Sequence, residues 1–579
     1  MIIIAASLGL LSSQSCSNFL ETEPFDKLVP NTFFKTETDL QLYTNSFYQQ
    51  LLPSADAATQ GDGMADYSSI TQSSNFISGN YSSIDEAAWN WTSLRNINYF
   101  LANYNNEDIP EEARNHYAGV ARFFRAWFYF EKVQRYGNVP WYDTPLAPDD
   151  EALYKKQDPR EEVMQHVLED LDFAAENIRD AKDATSSTIT RQVALAYKSR
   201  VALFEGTYRK YHTELGLEST ADEWLTEAAD AAKAVMDAGM YSLYNTGEPT
   251  SDYRTLFISE NAVNQEVMFA LVFNNALKRW HGLTWKFNSA TYGSRWSLNK
   301  QFVNTYLMAD GSRFTDKAGY DDMLFVDEMA GRDNRLAQTV RSLGYTRADG
   351  TPAPPNFGYT FTGYHLLKWS LNDKRFDGIA EAYNTIPLVR YAEVLLNYAE
   401  AKAELGQFDE SVWAQTIAPL RERAGVNTAA PQTADPYLQK VYFPEISDRY
   451  LLEVRRERGV ELCYENFRYQ DLMRWKKGKL IEMPWEGIYV PAMNTPMDLD
   501  GNGTPDVSFV SATPDAPQAG VTYFVIDNNI SKLTNGTSGH LVWGANEERS
   551  FSDKKYLHPI SNADIVLNKN LEQNPGWEN

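Results

Sequence analysis

Aromatic rings set beside amides and carboxylates are the chemistry this sequence offers most plainly, in two stretches. One runs from Gly61-Asp62-Gly63 through Asp66 and Tyr67 to Trp89-Asn90-Trp91; the other runs from Trp280 and Trp285 through Asn288, Tyr292 and Arg295 to Trp296. A flat indole or phenol accepts the apolar C–H face of a sugar ring, while Asp, Asn or Arg hydrogen-bonds its fringe of hydroxyls. Asp62, Trp89, Trp285, Tyr292 and Trp296 are the candidate ligand-binding residues on this reading. The competing reading makes each ring an ordinary core residue.

A second constellation is Asp498-Leu499-Asp500-Gly501-Asn502-Gly503-Thr504-Pro505-Asp506. Oxygen-bearing side chains alternate there with glycines that allow a tight turn, as in the first nine positions of a helix-loop-helix calcium loop. Asp498, Asp500 and Asn502 would bind through side chains, Thr504 through its carbonyl, and Asp506 directly or through water. The twelfth position is Phe509, so the bidentate Glu is missing. The expectation is a structural calcium, against an Asp/Asn/Gly turn that needs no ion; no other cofactor is required. Nucleophile-elbow, phosphate-loop, dinucleotide-fingerprint and zinc-protease motifs are absent. A glycoside hydrolase needs only two well-placed carboxylates, and the 78 acidic residues of this chain make any pair uninformative.

The elements that position these groups follow from composition and periodicity. In 579 residues, 78 acids face 53 bases, for a net charge of −25. Such a chain repels phosphate backbones and anionic headgroups, which argues against nucleic acid as a partner. Met1 to Leu11 is almost wholly apolar and is followed by Ser12-Ser13-Gln14-Ser15-Cys16. The run is too short to span a bilayer and reads as an export signal over residues 1–15. Cys16 then stands where a thiol is acylated, with residues 16–30 as a lipidated tether. No Lys or Arg precedes the run, which leaves the true translation start open. Cys463 lies far away in a helical pattern and reads as a small buried apolar residue.

Apolar residues at three- and four-residue spacing predict helices through Leu40, Tyr43, Phe47 and Leu51, through Tyr117 to Val133, through Val193 to Phe204, and through Leu225 to Val235. Gly137 with Pro140, and Gly239, end two of them. The pattern returns from Leu388 to Leu405, where Leu396-Asn397-Tyr398-Ala399-Glu400-Ala401-Lys402-Ala403-Glu404-Leu405-Gly406 resembles a tetratricopeptide repeat at its inter-helix turn. Gly, Pro, Asn and aromatics break the periodicity between about 246–385 and 479–555, which predicts long ordered loops with short strands.

Several segments point to one family. Cys16-Ser17-Asn18-Phe19-Leu20-Glu21-Thr22-Glu23-Pro24 resembles the mature start of the SusD/RagB family. Ala121-Arg122-Phe123-Phe124-Arg125-Ala126-Trp127-Phe128-Tyr129-Phe130, running into Arg135-Tyr136-Gly137-Asn138-Val139-Pro140, is similar to its best-known helix and turn. Leu420-Arg421-Glu422-Arg423-Ala424-Gly425-Val426, Glu457-Arg458-Gly459-Val460-Glu461-Leu462 with Glu465 to Trp475, and Leu557-His558-Pro559-Ile560 through Trp577 complete the set.

The resemblance implies a mainly α fold: four tetratricopeptide-like helix pairs carrying a loop-rich ligand-binding region with short strands. It makes residues 31–579 a single domain, its helical scaffold at about 31–245 and 386–478. It implies a lipoprotein on the outer face of the outer membrane that binds an oligosaccharide, is not an enzyme, and partners a SusC-like TonB-dependent transporter. Peptide or glycopeptide as the nutrient, and glycoside hydrolysis, are the alternatives. Read physically, the family motifs predict scaffold. A helix from Glu453 to Arg474 would pair Glu465 with Arg468 and Arg468 with Asp471 on one face, with Tyr464, Phe467 and Trp475 packed beneath. Arg122 and Arg125 are read the same way, as partners of buried acids.

Overall fold

The computed structural model describes residues 33–289 and 293–578. The expected signal over 1–15, the tether over 16–30 with Cys16, and the candidate Tyr292 lie outside the described residues.

Helices dominate, and their ends follow local chemistry. Helix α1 (Glu37–Leu51) starts at Thr36, whose hydroxyl accepts from the Asp39 N–H while Asp39 reaches back to the Thr36 N–H. Helix α2 (Thr92–Asn103) leads to α3 (Glu111–Tyr136), which carries Glu111 and Glu112 in its first turn and Arg135 in its last, as the helix dipole favours. Gly137 stops α3 at φ +76°, a conformation open to glycine and costly for other residues. Helices α4 (Arg160–Asn177), α5 (Arg191–Tyr211) and α6 (Ala221–Ala238) follow. Farther on come α7 (Tyr391–Glu404), α8 (Ile417–Arg423), α9 (Arg449–Glu461) and α10 (Arg468–Arg474), then α11 (Asn562–Leu567) near the C-terminus. Neighbours in sequence pack as pairs, α3 on α4 and α5 on α6. Helices α1 and α2 cover α3, and α7 bridges α6 to α9. This is the tetratricopeptide-like, mainly α architecture expected.

The strands are short. β1 (Val267–Leu271) pairs antiparallel with β2 (Ile386–Arg390). β3 (Trp485–Val490) pairs with β7 (Gly539–Trp543), which also pairs with β6 (Ser531–Leu533); β4 (Val507–Val510) and β5 (Thr522–Val525) form a parallel pair.

One expected element differs. The helix from Glu453 to Arg474 is two helices, α9 and α10, separated by a turn in which Tyr464 and Asn466 adopt φ of +60° and +68°. Neither expected ion pair forms within it. Arg468 pairs with Asp66 at 2.7 Å, and Glu465 pairs with Arg390 and Lys368, each at 2.7 Å. Asp471 pairs with Arg458 and Arg474, each at 2.8 Å. Tyr464 and Trp475 are buried as expected, and so is the free thiol of Cys463.

Charge fills the interior between α7, α8, α9 and the β1–β2 pair. Glu461 on α9 meets Arg335 at 3.0 Å and Arg390 at 2.6 Å, and also accepts from Arg423. Arg390 and Arg423 share Glu266 as well, at 2.9 and 3.0 Å. Burial alone would raise the Glu461 pKa, but Arg423, Arg390 and Arg335 hold it well below the usual carboxylate range.

Removing one partner of such a network strands the others in low dielectric. Glu461→Gln is therefore expected to lower stability by about 3–5 kcal/mol in urea unfolding at pH 7. Because the folded-state pKa is depressed, that contribution exists above the ordinary glutamate pKa and is lost as pH falls below it. The wild-type advantage should shrink toward pH 3; an advantage that grew on acidification would contradict the assignment.

Candidate functional site

The structure joins parts of the two aromatic stretches and separates others. Ser68–Ser69 pairs antiparallel with Ser297–Leu298, and the Thr71 hydroxyl donates to the Ser294 carbonyl at 3.2 Å. Loops 61–73 and 293–297 therefore form one face. Asp62, however, is fully buried within it: Oδ1 accepts from the Tyr67 hydroxyl and Oδ2 from the Asn466 N–H, both at 2.5 Å. Burial pushes its carboxyl up to about 7. These bonds hold the α9–α10 turn, and no oxygen is left to a ligand. Trp296 is 6% exposed, its ring 5.9 Å from that of Tyr464 and 4.7 Å from the Lys286 ammonium. Gly63 passes so close over it that a Cβ there would come within 2.9 Å of the indole. Asp62 and Trp296 are thus core, the competing reading of the sequence, because these loops pack on each other instead of presenting their rings. Trp285, on the short helix Leu283–Phe287, is half-buried.

Trp89 belongs to a different place. With Trp91, Tyr142 and Tyr154 it walls a cavity of about 390 Å³, whose polar groups include Arg95, Asn98, Thr144, Asp564 and Asn568. A cavity of that size falls within the range of small-molecule sites. Trp91 immediately precedes α2, which supplies Leu94, Arg95 and Asn98; the chain leaving α3 supplies Pro140 to Leu146; α11 and the residues after it supply Asp564 to Leu571. Trp89 meets Trp91 at 5.2 Å and Tyr136 at 4.9 Å, with ring planes 76° and 77° apart, and Tyr142 meets Trp91 edge-on at 5.8 Å. Such edge contacts fix rings without stacking their faces.

Hydrogen bonds close the frame. Asn98 Nδ2 donates to the Tyr142 carbonyl at 2.8 Å, and Arg95 Nε to the Leu146 carbonyl at 3.2 Å. Asn568 Nδ2 donates to Lys155 at 2.9 Å, and Asn570 Nδ2 to Tyr154 at 2.6 Å. Glu86 clamps the segment ahead of Trp89: it accepts from the Ala88 N–H at 2.7 Å, the Tyr136 hydroxyl at 2.9 Å and Arg135 at 2.7 Å. Burial would raise its pKa; the neighbouring His558 imidazole and the hydrogen-bonded Arg135 hold it low. Asp564, the carboxylate among the lining residues, is raised by burial. Tyr142, Tyr154, Asp564, Asn568 and Glu86 were not singled out from the sequence. Pro140-Trp141-Tyr142 directly after the α3 stop was the one local signal available.

Two descriptions of known families match this framework. The one described as SusD family covers residues 242–577, and the one described as "Starch-binding associating with outer membrane" covers residues 30–202. The chain belongs to the SusD family. SusD-like protein P2 of Formosa agariphila is 25% identical over 509 residues, 82% of this chain and 90% of that one. A solved SusD-like protein of Bacteroides fragilis, 21% identical, superposes with a TM-score of 0.69 over 96% of this chain and 100% of its own. A second from that organism, described as a SusD-like carbohydrate binding protein, is also 21% identical and superposes at 0.68 over 93% of this chain and 100% of its own. Against this SusD-family background, the motifs quoted from the sequence fall on scaffold. Arg125 pairs with the buried Asp170 at 2.7 Å, while the buried Glu457 pairs with Arg421 at 2.6 Å and Arg335 at 2.9 Å.

The calcium-like segment forms a turn between Met497 and Val507, which bridge each other across it. It brings carboxylate oxygens of Asp498, Asp500 and Asp506 within 4.8 Å of one another. Asp498 accepts from the N–H groups of Asp500, Gly501 and Gly503 at 3.0, 2.7 and 2.7 Å. Asn502 accepts from the Thr504 N–H at 2.7 Å, so both sit in the same turn. Burial, with the charges of Asp500 and Asp498, pushes Asp506 up to about 6.

Proposed function

We propose that this chain binds a glycan at the outer face of the outer membrane, anchored through lipidated Cys16, and passes it to a SusC-like TonB-dependent transporter. The observation that carries the reading is the cavity framed by Trp89, Trp91, Tyr142 and Tyr154. It combines aromatic plates with a fringe of Arg95, Thr144 and Asp564, the combination a sugar ring requires. The family description that pairs starch binding with the outer membrane supports it, as does the carbohydrate binding named for a solved relative. Among the described residues no helix is long and apolar enough to cross a membrane. A binder fits the cavity better than a hydrolase, because one carboxylate lines it where glycosidic cleavage uses two.

A glycan array probed with the full-length chain should identify a bound oligosaccharide, and incubation should release no new reducing ends. In calorimetry, Trp89→Ala should weaken that ligand at least tenfold, about 1.4 kcal/mol. Weakening by Trp285→Ala with Trp89→Ala silent would move the site to the other loop face, and a peptide ligand in place of a sugar would change the nutrient.

The turn of Asp498, Asp500 and Asp506 holds a structural calcium on the same proposal, with Asn502 and the Thr504 carbonyl completing the oxygen set. Ion binding to the folded state stabilises it by RT ln(1 + [Ca²⁺]/Kd). Millimolar calcium should raise the melting temperature by a few degrees and Asp498→Ala should abolish the rise. No shift in the wild type would leave an ion-free turn.

A further inference from the structure

Behind the segment that carries Trp89 lies a larger cleft, about 700 Å³, between α3, α5 and α10. Its rim is formed by Gly61 to Met64 and by Ala88, Asn90, Thr92 and Ser93, so the two cavities lie on either side of one strip of chain and share Thr92. None of the described candidate residues lines it, and the scaffold role of α3 and α10 does not account for the space.

The lining mixes apolar and polar side chains, and its arginines are already committed. Arg135 is held by Glu86 at 2.7 Å, Arg200 by Glu393 at 2.6 Å, Arg458 by Asp471 at 2.8 Å and Arg474 by Glu400 at 2.6 Å. The Lys132 ammonium donates to the Ala88 carbonyl and lies over the Phe128 and Trp91 rings, while Glu131 accepts from the Trp127 indole. A charged ligand would have to break a partly or fully buried pair, which costs several kcal/mol.

Two of its amides are not committed. Among the described residues, the side chains of Gln134 and Gln470 make no hydrogen bond to protein; Oε1 of Gln470 is out of contact with water, which leaves its Nε2 for the cleft. Asn90 stands on the rim, exposed, with Oδ1 accepting from the Thr92 N–H at 2.9 Å. Glu131 accepts from the Trp127 indole N–H at 2.8 Å and is exposed at the cleft; desolvation by the surrounding protein pushes its carboxyl up to about 7. Near neutral pH it therefore also exists as a donor.

We propose that this cleft is a second binding site for a neutral oligosaccharide, hydrogen-bonded by Gln134, Gln470, Glu131 and Asn90. It takes the same chemical class as the Trp89 cavity and so rests on the glycan-binding reading. Free amides with no spare charge match a ligand that presents many hydroxyls and no ionic group.

Calorimetry on the full-length chain tests it, with maltoheptaose and with the tightest-binding neutral sugar of the array if that differs. The wild type should show two binding events per chain. The double variant Gln134→Ala, Gln470→Ala should lose one and keep the other, and Trp89→Ala should do the reverse. Neither glutamine side chain bonds to protein, so the double variant should melt no lower than the wild type. A single event that Trp89→Ala abolishes and the double variant leaves intact would overturn the cleft site while the glycan reading stands. No event with any sugar, or binding of peptides alone, would overturn both.

Discussion

The burial of guanidinium against carboxylate is the constraint on which this fold depends. Glu461 faces Arg335, Arg390 and Arg423, and these three come from the loop-rich region, the end of β2 and α8. Each charge alone would cost several kcal/mol to desolvate, and each is tolerable only where the others stand. The helical scaffold and the loops therefore cannot dock in a different register without stranding charge. Hydrophobic packing supplies most of the driving force, but it is non-directional; bidentate ion pairs add the geometry.

That rigidity reaches the site through a few bonds. Glu86 ties the segment ahead of Trp89 to α3 through Arg135 and Tyr136, and His558 brings the C-terminal segment to the same carboxylate at 3.4 Å. The aromatic cavity is thus framed by groups that are themselves held, so little ordering remains when a ligand arrives.

Helices were legible because their cause is local. The spacing of Leu40, Tyr43 and Phe47, the capping by Thr36 and the stops at Gly137 and Gly239 all act within a few residues. The split of α9 from α10 was not legible. No glycine or proline marks it, and the bonds that hold it, Asp62 to Asn466 and Tyr67 to Tyr464, span about four hundred residues. For the same reason i,i+3 spacing misdirected the pairing of Arg468, whose partner Asp66 lies on a distant loop. Trp296 and Asp62 looked like loop-surface residues because glycines and small polar residues stand near them, but composition does not say whether a loop packs against another loop. The Trp89 cavity needs residues near 90, near 142 and near 565, and no window of sequence contains all three.

The central claim is that a sugar ring seats against Trp89 within the frame built by α2, the α3 exit and α11. A crystal structure of the protein with maltoheptaose, or with the tightest array hit, tests it most directly. The account predicts a pyranose ring against Trp89 or Tyr154 with hydroxyls reaching Asp564, Thr144 or Arg95. Sugar bound only on the loop face at Trp285, with the Trp89 cavity holding solvent, would contradict it.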